Sequence, residues 1–119
     1  MNKINIIDKF NLFSDQWSPK VIAQLNDYHF KLVRIQGDFT WHKHDNTDEV
    51  FIILDGQMRM DYEDEQIILN TSEMIVVPKG KNHKPFAEKE TKLLVIEPAG
   101  TLNTGNKKDS FTKEKIEWI

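Results

Sequence analysis

The chain has 119 residues, with sixteen Lys and Arg against nineteen Asp and Glu, a net charge of −3, and 39% hydrophobic residues. Such a length bounds one domain, and the near-balanced charge leaves no basic footprint for nucleic acid and no attraction to acidic membranes. With no cysteine in the chain, disulfides, thiolate metal sites and cysteine nucleophiles are excluded.

The N-terminal residues 1–9, which include Asn2, Lys3, Asn5, Asp8 and Lys9, are too polar for a signal peptide. The longest apolar runs, residues 50–54 and 93–96, are strand-sized and too short to span a bilayer. A cytoplasmic protein that engages neither membrane nor nucleic acid is therefore expected, with residues 1–119 forming one domain and its barrel over about residues 20–98.

In chain order, residues 1–15 predict a short strand and about one helical turn covering one end of the fold, stopped at Ser18-Pro19. From Lys20 onward, short β-type runs alternate with turn signals. Residues 21–25 stop at Asn26-Asp27, and residues 28–35 at Gly37-Asp38. Residues 39–44 lead into the polar stretch 45–48. Residues 49–54 end at Asp55-Gly56, which predicts a hairpin turn with both central residues at positive φ. Residues 57–62, 66–69 and 74–77 come next, the last stopping at Pro78-Lys79-Gly80. Two further strands are read at 83–87 and 92–97, separated by a turn at Glu88-Lys89-Glu90. That makes about nine strands at intervals of roughly ten residues, the rhythm of an all-β sandwich or barrel. The tail 99–108 is polar, and the apolar Trp118-Ile119 is expected to dock on its own barrel or on a partner.

Three of the four histidines make chemical sense together. His42 and His44, two apart on a strand, project to one face. Glu49 opens the next apolar run, and His83 comes just after the Pro78-Lys79-Gly80 turn. If their strands are neighbours, three imidazoles and one carboxylate converge on a point. That donor set suits a borderline first-row divalent ion, with open positions left for water or substrate oxygen.

These residues resemble the motifs of the cupin superfamily. The first motif reads here Gly37, His42-Lys43-His44, Glu49 and Gly56, with one residue fewer than the family pattern between Gly37 and His42. The second reads Pro78-Lys79-Gly80-Lys81-Asn82-His83, with Ser72 in place of the leading Gly and Ala87 in place of the trailing Asn. More narrowly, residues 31–34, 48–51 and 101–105 look like the small single-domain cupins labelled mannose-6-phosphate-isomerase-like. The resemblance implies an all-β jelly-roll barrel (a double-stranded β-helix) holding one divalent ion at His42, His44, Glu49 and His83, whether Fe, Mn, Ni, Zn, Co or Cu. It also implies a small-molecule ligand in the barrel and either a metalloenzyme (isomerase, lyase or oxygenase) or a non-catalytic binding or sensing module, since fold does not imply function.

The remaining polar residues read as structural. His29 lies outside both motifs; Asp45, Asn46, Thr47 and Asp48 read as a solvated loop; Glu73 and Glu97 as surface carboxylates unless they face the cavity; Lys31 and Arg34 as solvated strand charges that can alternatively meet an anionic substrate. Trp41, Phe51, Met58, Met60 and Phe86 read as core. A small barrel exposes edge strands, so a homodimer is expected, with residues 4–13 and Trp118-Ile119 as contributors.

Overall fold

A computed structural model describes residues 2–119 and realises the expected strand rhythm as an all-β jelly roll. Its strands are β1 (Lys20–Leu25), β2 (Tyr28–Asp38), β3 (Glu49–Asp55), β4 (Gln57–Tyr62), β5 (Gln66–Asn70), β6 (Met74–Val77), β7 (His83–Pro98) and β8 (Glu117–Trp118). The one α-helix among the described residues, α1 (Ile6–Phe10), has Asn5 as its N-cap, whose side chain accepts from the Asp8 N–H. No helix among the described residues is long and apolar enough to cross a membrane.

The long strands β2 and β7 run antiparallel along nearly their whole length and bend together. On the other side of β7, β3 pairs with its C-terminal half and β4 with its N-terminal half. The barrel is completed by β6 on β3, β5 on β4, β1 on β2, and β8 parallel to β1.

Two turn expectations are corrected by this arrangement. Asp55-Gly56 is not a hairpin: β3 and β4 do not pair with each other but continue end to end along β7. Only Gly56 has positive φ (113°), and it marks the corner between β3 and β4 as the run follows β7. Glu88-Lys89-Glu90 is likewise no turn. The strand continues through it as β7, and the three exposed residues fill a bulge opposite Gln36 where the β2–β7 register shifts. Clustered charges carried the turn signal, but at a barrel corner they simply face water. Residues 39–44 form no strand either; only His42 makes a bridge, to His83.

Inside the barrel, Val33, Ile35, Phe51, Ile53, Met58, Met60, Leu69, Leu93 and Val95 make one core. Each large apolar side chain so buried contributes roughly 1.5–3 kcal/mol. The opposite face of β2, β3 and β7 is also apolar and carries a second cluster around Phe10, Leu32 and Leu94. The N-terminal segment therefore covers an outer sheet face rather than a barrel end, and residues 2–5 form no strand. Arg34 clips it there, donating to the Phe10 and Phe13 carbonyls at 2.8 and 3.0 Å and pairing with Glu90.

Of the residues expected in the core, Phe51, Met58 and Met60 are buried there, whereas Trp41 is 38% exposed. Phe86 lies outside the core, beneath the Arg59 guanidinium (4.4 Å) and beside the Lys84 ammonium. At the C-terminus, Ile119 N–H donates to the Val21 carbonyl and Trp118 lies edge-on to buried His29, so this segment docks on its own barrel.

Candidate metal centre

Each ligand candidate is delivered by a different constraint. His42 pairs with His83 through two reciprocal backbone hydrogen bonds (3.0 and 2.8 Å), which sets their imidazoles side by side with ring centroids 4.3 Å apart. Gly80 N–H donates to the His44 carbonyl (2.7 Å), and Lys79 N–H donates to the Asp48 carboxylate (2.9 Å). The Pro78-Lys79-Gly80 turn thereby holds the 44–48 loop against the barrel. Glu49 starts β3 opposite Val77. Ser72, standing where the motif has glycine, takes the left-handed backbone that glycine favours (φ 73°), and Ala87 joins the core.

The structure brings all four expected residues together. His42, His44, Glu49 and His83 are buried, and one ligand atom from each lies within 4.8 Å of all the others. In His42 and His83 the Nδ1–H donates to a carbonyl two residues upstream, of Thr40 (2.9 Å) and Lys81 (2.8 Å). This tautomer leaves the Nε2 lone pairs free, the usual second contact of a metal-binding histidine. His44 Nε2 and His83 Nε2 each lie 3.4 Å from Glu49 Oε1, and none of these three buried atoms has a hydrogen-bond partner. Lone pairs converging on a carboxylate oxygen in a dry interior repel unless a cation stands between them. The donor set therefore fits a divalent ion.

A match to the cupin domain family spans residues 31–97. The chain belongs to the cupin family. Among solved structures, this cupin is 53% identical to a cupin-2 domain containing protein from Shewanella frigidimarina, with a TM-score of 0.79 over 80% of this chain and 93% of that one. It is 31% identical to protein NMB1881 from Neisseria meningitidis, with a TM-score of 0.75 over 82% of this chain and 100% of the other. It is also 32% identical to the uncharacterized protein YdbB of Bacillus subtilis (strain 168), covering 78% of this chain and 83% of that protein.

Beside the four residues, the cupin barrel holds a partly open cavity of ≈ 40 Å³ with walls that include Trp17, Val33, Phe39, Phe51, Leu93 and Val95. Its polar groups include Lys31, His42, Glu49 and Glu97. Glu97, expected on the surface, is 2% exposed, and its Oε1 accepts from Lys31 Nζ at 2.8 Å. Burial and the neighbouring Glu49 charge push the Glu97 carboxyl well above the ordinary range. Burial alone would also raise Glu49, but its close polar contacts with Glu97, His44 and His83 outweigh it and hold Glu49 well below. The two carboxyls are thus pushed in opposite directions, Glu97 toward its neutral form and Glu49 toward its charged form.

Strand parity explains why the sequence alone puts these two residues outside. Lys31 and Glu97 share the inward face with Val33, Leu93 and Val95, while the outward residues Leu32 and Leu94 are equally apolar. With both faces apolar, alternation gives no direction. Glu73 is exposed, where its carboxylate accepts from Asn70 N–H, and Arg34 serves the N-terminal clip rather than the cavity.

The site also imposes a pH dependence on the metal-free protein. Burial, with His83 adjacent, lowers the His42 pKa from 6.5 to about 4. Between these values the unfolded chain binds a proton that the folded chain refuses. Stability is then fully present above pH 6.5 and falls as pH drops toward 4, by about 3 kcal/mol from this residue. Urea unfolding at pH 7 and pH 4.5 checks this; His42→Gln should flatten that part of the profile.

Proposed function

We propose that this cupin is a metal-dependent enzyme acting on a small organic molecule, with one divalent ion held by His42, His44, Glu49 and His83. The observation that carries the reading is the convergence of partnerless buried donors on one point at the edge of an apolar cavity. A divalent ion bound there supplies Lewis acidity to a substrate oxygen at its open positions. The chain's own residues do the rest. The Thr40 and Lys81 carbonyls fix the ring orientations of His42 and His83. The cavity walls are mostly apolar. Glu97 faces the cavity beside Glu49, and Lys31 fixes the Glu97 carboxyl by a 2.8 Å bond. A buried carboxyl whose proton affinity is raised beside a metal centre is suited to general acid–base work, which favours isomerase, lyase or oxygenase chemistry over a passive pocket.

The second reading, a non-catalytic module that binds or senses a small ligand, is favoured by the small cavity, since ≈ 40 Å³ admits little without movement of its walls. Hydroquinone 1,2-dioxygenases share the fold at 16% and 18% identity, a likeness that speaks for the barrel alone. Placement in the mannose-6-phosphate-isomerase-like group rests on the short phrases at 31–34, 48–51 and 101–105.

Metal analysis of protein purified without chelators or affinity metals tests the proposal. About one ion per chain is expected. Iron directs the search to oxygen chemistry, and zinc or manganese to isomerisation or hydrolysis. A protein that stays below stoichiometric metal after reconstitution with each of these ions overturns the reading.

A further inference from the structure

The family match ends at Glu97, yet the chain continues for a further stretch that packs back onto the ligand motif. Its contact point is the backbone of Lys43, the residue between His42 and His44. His42 is held by its bridge to His83, and the His44 carbonyl by Gly80 N–H. The Lys43 carbonyl lies between these anchors in a segment without strand neighbours, and its backbone partner is Asn106 N–H at 3.1 Å. The Asn106 side chain also donates to the Asp45 carboxylate. Gly105 lets the two backbones approach. It has φ 64°, and a Cβ there would fall onto the Lys43 carbonyl group, 2.8 Å from its carbon. Backbone stands in the way, so no side-chain rearrangement relieves the clash.

The tail reaches this point as an ordered segment. Thr104 is fully buried, with its hydroxyl bonded to the Lys107 carbonyl and the Thr112 hydroxyl. Asn103 bonds Phe111 and Lys113, and the Phe111 ring packs 5.0 Å from Phe39, which lies edge-on to the His42 ring at 5.2 Å. The tail therefore braces the ligand pair at the Lys43 peptide and, through Phe39, at the His42 ring.

We propose that Gly105 and Asn106 are positioning residues for the His42 and His44 ligand pair, so that seating the tail and loading the metal are thermodynamically coupled. The inference rests on the proposed metal site. An unbraced His42-Lys43-His44 segment samples more conformations, and closing it onto an ion costs more; a seated tail removes that cost in advance. Coupling is reciprocal, so the factor by which the seated tail tightens metal binding equals the factor by which metal protects the tail.

The test uses the full-length chain with Zn²⁺ as probe. Hydrogen exchange of residues 99–112 is measured with and without Zn²⁺, with α1 as internal reference because it packs on the outer sheet face. Zn²⁺ titrations compare the parent with Gly105→Ala. We expect Zn²⁺ to slow tail exchange about tenfold or more while leaving α1 unchanged, and Gly105→Ala to weaken Zn²⁺ binding by about 10–100-fold at unchanged stoichiometry, the range for residues that orient metal ligands. Tail exchange indifferent to Zn²⁺, or parental affinity in Gly105→Ala, overturns the coupling while the metal-site reading stands. A parent that binds no Zn²⁺, Mn²⁺ or Fe²⁺ overturns both. If Gly105→Ala fails to fold, Asn106→Ala, which removes only the clip to Asp45, takes its place with an expected loss of a few-fold, and unchanged affinity there counts against the proposal.

Discussion

Replacing His42 and His44 together by alanine is expected to abolish stoichiometric metal binding while leaving a folded barrel. The two imidazoles are half of the donor set, and the remaining Glu49 and His83 present only two ligands, fewer than the three or more protein ligands of a tight N/O site. Affinity should fall by far more than the 10–100-fold typical of residues one step removed from a metal. The fold should survive because its apolar core is built by β2, β3, β4 and β7, whereas both histidines lie in a segment outside the strands. Removing His42 also relieves the metal-free protein of an imidazole whose pKa burial depresses, so the loss of stability toward acid pH should be smaller. Calorimetric titration with Zn²⁺ and Mn²⁺, alongside far-UV circular dichroism, decides the matter. A double variant that binds one ion as tightly as the parent sinks the site assignment.

The second large effect is expected at the barrel corner. Gly56→Ala should cost about 2–4 kcal/mol, combining the strain of a non-glycine residue at this backbone angle with overpacking against a β-branched neighbour. With φ at 113°, an L side chain is strained wherever it points, and here a Cβ would meet Thr91 Oγ1 at 2.6 Å. Thr91 has little room to yield. It is buried, and its hydroxyl already donates to the Gln57 carbonyl at 3.0 Å. Since β3 and β4 form one run bent at this glycine, the clash bears on both strands and on their pairing with β7. Urea or thermal unfolding of Gly56→Ala against the parent measures the loss. A variant within about 0.5 kcal/mol of the parent, the scatter of harmless surface changes, refutes this account of the corner.

Much of the architecture is written in local chemistry. Short β-type runs with Gly, Pro, Asn and Asp between them are enough to specify many short strands, and the Asn26-Asp27 turn between β1 and β2 forms where the dipeptide predicts. The ligand candidates are equally legible, because His42 and His44 at period two, Glu49 at the head of an apolar run and His83 after a Pro-x-Gly turn form a sparse pattern of unusual chemistry. What local chemistry cannot carry is which strand lies beside which. Asp55-Gly56 and Glu88-Lys89-Glu90 have turn composition, yet the first joins β3 to β4 end to end and the second lies within β7, because pairing along β7 outweighs the local preference. The inward placement of Lys31 and Glu97 likewise depends on tertiary structure, since strands with two apolar faces do not reveal which one closes on the core. Nor does the position of Gly105 against Lys43 emerge from either stretch alone. The two segments are more than sixty residues apart in the chain, and only the closed barrel brings them together.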